Sequence, residues 1–529
     1  LLNLTDLQKF VQIYFTFAKK TYMSPFTIIS ILSAYFLSLL TIAYFTSRNA
    51  QSTTFFNADR QSPWYLVAFG MIGASLSGVT FISIPGAVLL RSFGYFQIVL
   101  GYVAGYLVIA LVLMPLYYRL QLISIYTYLE SRFGKYTYKT GASFFLLSRT
   151  IGTAFRLFLA VEALQIGLFG KWDFPFWLTT AISISLIWLY TFRGGIKTIV
   201  WTDTFQTSFL LLALFSAIGA IKQDLGWSLE NLATAVSQSP FSKIFFWENF
   251  AESKQHFIKQ FLAGMFIAIA MTGLDQDLMQ KNLTCKNLRE AQKNMFSFVT
   301  ILVAVNFVFL VMGALLYLYA ENKGIALPSQ NGKIITDQVY PVLAFEHLGG
   351  IAGIAFLLGI TAATYASSDS ALASLTTSFC IDFLGLTKKE VAEHKAQKTV
   401  RWVHLGFSLL LLLIVVLFER LRSAYPQMNI IGALFQAAGY TYGALLGLFA
   451  FGITTKRNLR DKLVPWVCVL CPVIAFVIAQ NSKEWLGYVF GDELILLNGL
   501  LNYAGLWLIS LNSQYLEKAD LHSNKQQSL

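Results

Sequence analysis

Ser367, Ser368, Asp369, Ser370 and Ser374 interrupt the middle of IAGIAFLLGITAATYASSDSALASLTTSFCIDF (351–383), an apolar run long enough to cross a bilayer. A charge at the centre of a hydrocarbon layer costs roughly 2.5–3.5 kcal/mol on insertion scales, so an aspartate there needs a reason. Hydroxyls and a carboxylate are hard oxygen donors, which suit a small cation such as Na⁺ or a transferable proton. Serines alone would serve close helix packing. With the aspartate among them, the cluster is read as an ion site.

Other polar groups recur inside apolar runs. Asp203 stands in WTDTFQTSF near the start of a run, where it could cap a helix or take part in ion binding. Arg156 lies in the middle of SRTIGTAFRLFLAVEAL, with Arg149 two turns before it and Glu162 nearly two turns after. A buried arginine must face a cavity, a carboxylate or backbone carbonyls. Its planar fork also fits a carboxylate solute bidentately. Arg156 therefore reads either as half of a structural pair or as an anion-binding group. Gln97, in FGYFQIVLGY, could line the same cavity or bond a neighbouring helix.

The elements that must carry these residues are membrane helices. The chain of 529 residues is 56% hydrophobic and only 12% charged, about half the charged fraction of a soluble protein. Thirteen apolar runs are read near 24–46, 64–89, 95–118, 140–168, 174–192, 199–221, 257–279, 293–319, 349–383, 402–418, 428–453, 463–480 and 492–512. The first is long enough to span and does not resemble a cleavable signal. Segments between the runs hold 23 of the 39 Lys and Arg on one side, Lys281 among them, and 14 on the other. The positive-inside rule then puts the N-terminus outside and the C-terminus in the cytoplasm. The net charge of +12 is explained by these loops and does not imply a nucleic-acid partner. Cys468 and Cys471 sit in an apolar run without metal-ligand neighbours and read as packing residues. The histidines, His256, His347, His394, His404 and His522, are scattered, so no catalytic constellation is expected.

Two runs are built to break. WYLVAFGMIGASLSGVTFISIPGAVLL carries Gly70, Gly73, Gly78, Ser75, Ser77 and Thr80 at its centre, then Pro85 and Gly86. LAGMFIAIAMTGLDQDLMQ carries Thr272 and Gly273, then Asp275, Gln276 and Asp277. Unwound backbone at membrane depth is tolerated only where it lines a cavity or is buried in protein. The second is the fifth run after the first, the spacing of an inverted five-helix repeat whose halves each open with a broken helix.

YTFRGGIKTIVWTDTFQT (190–207) resembles the Gly-Gly…Thr-Asp…Gln element of the sodium/solute symporter family. GLDQDLMQKNLTCKNLREAQK (273–293) resembles that family's element after its second broken helix, and the serine-rich run resembles its ion-binding helix. The similarity runs from about Phe55 to Lys456. It implies an all-α LeuT-type fold of about thirteen transmembrane helices, a five-plus-five inverted repeat with extra terminal helices. The implied division is 1–63, an N-terminal segment with an extra helix; 64–222, the first repeat; 223–256, an extracellular loop; 257–455, the second repeat; and 456–529, two further helices and a cytoplasmic tail.

The resemblance further implies a plasma-membrane symporter that imports a small organic solute by alternating access. One or two Na⁺ would be the coupling ions, and a monomer is expected to suffice. The shared sodium site falls on Gly73, Leu76, Ala363, Ala366 and Ser367, with Ser368 able to compensate for Ala366, where a hydroxyl is usual. A second site, known in sialic acid-transporting members, falls on Asp203, Asp369 and Ser370, with Asp369 in place of a hydroxyl. Asp369 would there help hold Na⁺ or carry a proton. The solute candidates are Ser75, Ser77, Thr80, Phe81, Gln97, Arg156, Met271 and Gln436, with Arg149 as the alternative arginine. A carboxylate-bearing solute such as sialic acid is the favoured expectation. A neutral solute with Arg156 structural is the alternative, and a solute-sensing receptor or a channel on the same fold comes after it.

Overall fold

The computed structural model describes residues 25–48, 52–167, 169–192, 195–386, 393–425 and 430–511. Of the residues used above, His522 lies outside these, as do Arg193 and Gly194 of the 190–207 element and the ends of the runs at 24, 168, 428 and 512. The principal helices are α1 (Pro25–Ser47), α2 (Trp64–Ser75), α3 (Gly78–Arg91), α4 (Tyr95–Val108), α5 (Lys135–Gly167), α6 (Phe176–Thr191), α7 (Gly195–Leu225), α8 (Phe257–Ala268) and α9 (Gln276–Asn282). They continue as α10 (Leu288–Lys323), α11 (Gly350–Ser378), α12 (Glu393–Ala424), α13 (Ile430–Thr454), α14 (Val464–Leu486) and α15 (Leu494–Leu508). Each of the thirteen apolar runs falls on one of these helices or on a broken pair. Nine described helical segments are long and apolar enough to cross a bilayer alone, and a tenth if the bent pair around residue 274 is one span.

The breaks fall where the glycines and polar residues predict them. α2 ends when Leu76 leaves helical geometry (φ −82°, ψ 72°) and Ser77 turns extended (φ −71°, ψ 179°), and α3 restarts at Gly78. A helix end strips the carbonyls of its last turn of their intrahelical donors. Among the described residues, no side chain donates a hydrogen bond to the carbonyls of Gly73, Ala74, Ser75 or Leu76. The second break is different. A π turn over Ile269–Gly273 follows α8, Leu274 and Asp275 leave the helix, and α9 departs at 69°. Here the freed carbonyls are sealed: Tyr117 donates to the Gly273 carbonyl at 2.8 Å and Tyr126 to that of Leu274 at 3.0 Å. The Asp275 carboxylate restarts α9 by accepting the Asp277 N–H at 2.8 Å.

α7 lies against both α11 and α2, and α4 runs along α8. The α4–α8 contact depends on small residues. A Cβ at Gly101 would strike the Phe261 carbonyl, and one at Gly264 would strike the backbone of Ile98. Such close approach is how helices without a hydrophobic driving force between them gain van der Waals contact. α10 opens on Asn287, whose side chain accepts the Glu290 N–H at 3.0 Å. His404, one of the scattered histidines, lies inside a helix. It is buried in α12 between the hydroxyls of Thr191 and Thr376, each at 2.9 Å, so it pins three helices together.

Gly264→Val should push α4 and α8 apart and destabilise the fold by about 1–3 kcal/mol, the range for overpacking. The check is thermal unfolding of detergent-purified protein. Gly406→Ala, with no atom within 4 Å of the added Cβ, should leave the midpoint unchanged.

Candidate solute and ion sites

The first break opens on a cavity lined by residues of α2, α3, α4, α5, α8, α9, α10, α13 and the π turn. Ser75, Ser77, Thr80, Arg156 and Met271 are in its wall, as the sequence suggests. So are Tyr95, Tyr102, Tyr106, Thr272, Asn306, Leu434 and Phe435, which sequence reasoning did not single out. The signal for the tyrosines was their spacing in α4: residues 95, 102 and 106 recur at helical periods and share a face.

Arg156 is buried at this wall. It has no acidic partner within 4.0 Å among the described residues, and its Nε is without a hydrogen-bond partner. Glu162, the nearest acid in sequence, instead lies 4.0 Å from Arg422. Arg149 has the opposite environment. Its guanidinium pairs with Asp277 and stands 3.9 Å from Asp275. The same carboxylates hold two other helices: Ser370 on α11 donates to Asp277, and Tyr442 on α13 donates to Asp275 at 2.5 Å. The two arginines thus divide into one committed to protein carboxylates and one open to the cavity.

Three solute candidates lie elsewhere. Phe81 is fully buried and packs against Phe309, Tyr340 and Phe356, so it holds α3 in the core rather than lining the cavity. Gln97 spends its amide on the loop before α8, donating to the Gln255 carbonyl at 3.0 Å and accepting from the Phe246 N–H at 3.1 Å. Gln436 is exposed on α13, pointing away from the cavity that Leu434 and Phe435 line.

Around the first break, the shared sodium site comes together in part. Leu76 is in the cavity wall, and α11 passes beside it. Ala363, Ala366, Ser367 and Ser368 are all buried on α11. The Ser367 hydroxyl is turned back onto the Thr364 carbonyl at 2.9 Å. The α11 hydroxyls without partners among the described residues are those of Thr361, Thr364 and Ser368. Thr364 faces Gly78, where an added Cβ would meet its hydroxyl first. Sequence reasoning missed Thr364, although it stands one helical turn before Ser368. Gly73 contributes differently from its neighbours: its N–H is held by the Thr207 hydroxyl at 3.0 Å, which fixes its peptide against α7.

Asp203 is not a surface cap. It lies more than two turns inside α7, is fully buried, and its carboxylate meets the Lys281 ammonium at 2.5 Å. Lys281 in turn is buried at the end of α9 and is not the loop charge assumed in orienting the chain. Asp369 accepts from the Tyr190 hydroxyl at 2.8 Å and from the Ser370 N–H at 2.5 Å. The Ser370 hydroxyl is bound to Asp277, so it is turned away from Asp203. The expected pair of carboxylates is therefore present, but with an ammonium at it that sequence reasoning left in a loop.

The sodium/sialic acid symporter NanT of Aliivibrio fischeri is 23% identical over 502 residues, covering 93% of this chain and 96% of that protein. The sodium-dependent multivitamin transporter of Oryctolagus cuniculus is 25% identical over 414 residues, covering 75% of this chain and 60% of the transporter. A solved structure of a Na⁺-coupled sialic acid symporter, in a substrate-bound outward-open state and with a novel Na⁺ site, superposes with a TM-score of 0.75 at 19% identity. It covers 92% of this chain and 97% of that one. The fold is the LeuT type, and its relatives are multi-pass membrane transporters that use Na⁺ as coupling ion. The sodium:solute symporter family model matches residues 55–461, and the chain belongs to that family.

Proposed function

We propose that this chain imports a small carboxylate-bearing solute together with Na⁺ by alternating access. The observation that carries the reading is Arg156, a buried guanidinium in the cavity wall with no acidic partner among the described residues. A charge so placed costs free energy until an anion meets it, and a carboxylate can meet it through two parallel hydrogen bonds. Sialic acid, the solute named for the bacterial relative and the solved structure, is the first candidate. We read the protein as a carrier without catalytic chemistry, sufficient as a monomer in the plasma membrane. Its N-terminus is outside and its C-terminus cytoplasmic. The loop charges still favour that orientation once Lys281 is removed from the count.

The first Na⁺ is held at the α2–α3 break. Unsealed carbonyls of α2 supply one side, and the free hydroxyls of Thr364 and Ser368 on α11 supply the other. Bound there, Na⁺ ties the broken helix to α11 and favours the form that presents the cavity outward. Solute and ion must each bind that form better, and each then raises the other's affinity by the same factor. Arg149, Asp275 and Asp277 form the inner latch. They join α5, α9, α11 and α13, and those helices must part for the cavity to open inward.

Arg156→Ala should lower affinity for the carboxylate solute at least about 100-fold, consistent with losing hydrogen bonds of about 1.5–3 kcal/mol each to a charged group. Arg156→Lys should recover only part of it. Thermal shifts of purified protein against a solute panel, in Na⁺ and in K⁺, provide the check, since a ligand of the folded state raises the midpoint. Shifts produced by neutral solutes and retained in Arg156→Ala would make the arginine structural and the solute neutral.

Thr364→Val and Ser368→Ala should each raise the Na⁺ concentration needed for half-maximal uptake about tenfold, at one hydrogen-bond-sized loss per ligand. Solute affinity at saturating Na⁺ should change little. Flux measurements across a Na⁺ series would separate the two effects.

Asp277→Asn should weaken the latch, since breaking one partner of a buried pair costs about 3–5 kcal/mol. The expected result is a shift toward the inward-open form. Single-cysteine labelling of the α9 face should become faster, and apparent Na⁺ affinity from outside should fall. Unchanged labelling would show that the latch does not gate.

A further inference from the structure

The carboxylate of Asp203 already has a cation. Lys281 reaches it from α9, buried to 1% side-chain exposure, and its Nζ stands 2.5 Å from Asp203 Oδ2. Asp203 is pressed against the first broken helix: an added Cβ at Gly70 would meet the Asp203 Cβ first. Thr207, one turn further along α7, donates to the Asp203 carbonyl at 2.7 Å and accepts from the Gly73 N–H at 3.0 Å. The ammonium therefore joins the inner half of the second broken helix to the support of the first. Asp369 lies within the electrostatic reach of both Asp203 and Lys281.

The charges decide what this cluster can bind. Asp203 alone would be a buried anion needing a mobile cation. With Lys281 in direct contact, that need is met by a group that cannot leave. Asp369, for its part, is solvated by a phenol hydroxyl and a backbone N–H on its two oxygens. The remaining hydroxyl expected at such a site, Ser370, is bound to Asp277. Of the donors expected for a second Na⁺, Asp203 Oδ2, both Asp369 oxygens and the Ser370 hydroxyl are already engaged by protein groups, so a second ion would find only Asp203 Oδ1 free. The α2–α3 break is otherwise: the Thr364 and Ser368 hydroxyls have no protein partner, and among the described residues no side chain donates to the carbonyls of Gly73, Ala74, Ser75 or Leu76.

We propose that Lys281 is the tethered cation of the Asp203 site, so that the transporter binds and moves one Na⁺ per solute, at the helix break alone. The proposal rests on the reading of that break as a sodium site. Lys281 is a positioning residue in this scheme: it supplies in every conformation the charge that a second Na⁺ would supply only while bound.

The test is equilibrium binding of radiolabelled Na⁺ to the purified full chain, with no solute required. The wild type should bind one Na⁺ per chain with a Hill coefficient near one. Lys281→Gln should release Asp203 to a mobile ion, so the stoichiometry should rise to two and the Hill coefficient toward two. If that variant does not fold, the double variant Asp203→Asn with Lys281→Met removes both charges together. It should still bind one Na⁺, with affinity within about threefold of wild type. Two Na⁺ on the wild type, one on folded Lys281→Gln, or none on the folded double variant would each overturn the proposal. No Na⁺ on the wild type would instead overturn the reading of the break as a sodium site.

Discussion

Backbone polar groups at membrane depth have no water to turn to, and this constraint organises the molecule. A continuous helix satisfies itself, but each break in a helix strands carbonyls that something must meet. The two breaks answer differently. At the second, Tyr117 and Tyr126 bring hydroxyls to the carbonyls of Gly273 and Leu274, so the bend is closed and structural. At the first, no described side chain donates to the last carbonyls of α2, and on neighbouring α11 the Thr364 and Ser368 hydroxyls also lack partners. A set of unpaired oxygens of this kind is a demand for a cation. The same demand makes the site conformationally sensitive, because only one relative position of α2 and α11 lets both sides reach one ion.

Charged groups follow the same logic at higher cost. Burying a charge without a partner is costly, and several here are paired: Arg149 with Asp277 and Asp275, and Lys281 with Asp203. Breaking such a pair costs far more than exchanging it for apolar packing. Pairs between elements that move therefore act as latches, whereas pairs between elements that stay together act as rivets. Arg156 has no acidic partner among the described residues, and on the proposed reading that lack separates a binding group from a fastening one.

The sequence was most readable where physics leaves few choices. Glycines, serines and a proline in an apolar run can mean little besides a broken helix, and both breaks lie where they were expected. The serine-rich helix and the buried role of Arg156 were legible for the same reason. The choice between Arg149 and Arg156 was not, because seven residues are nearly two full turns and put both on one face of α5. Depth along the helix separates them, and depth relative to Asp275 and Asp277 depends on how α9 folds back. Lys281 was hidden by that same bend. In sequence it follows a broken helix and precedes polar residues, like any loop lysine, and only the 69° turn carries it inward to Asp203. Gln97 and Gln436 were misplaced because a polar residue in an apolar run does not say which neighbour it faces.

A fixed ammonium in place of a mobile ion changes what the gradient can do. One Na⁺ moving with one monoanionic solute carries no net charge, so the membrane potential does no work on the cycle. Accumulation then follows the Na⁺ concentration ratio alone, and a tenfold ratio supports about a tenfold solute gradient, or about 1.4 kcal/mol. A second Na⁺ would add its own concentration term and a net charge worth about 2.3 kcal/mol per 100 mV. It would also make the empty carrier wait for two ions before facing outward in a stable form. Lys281 removes that wait, because Asp203 is neutralised whether or not Na⁺ is present. The exchange is concentrating power for a smaller ion cost per solute, and it is set by a single residue at the end of a seven-residue helix.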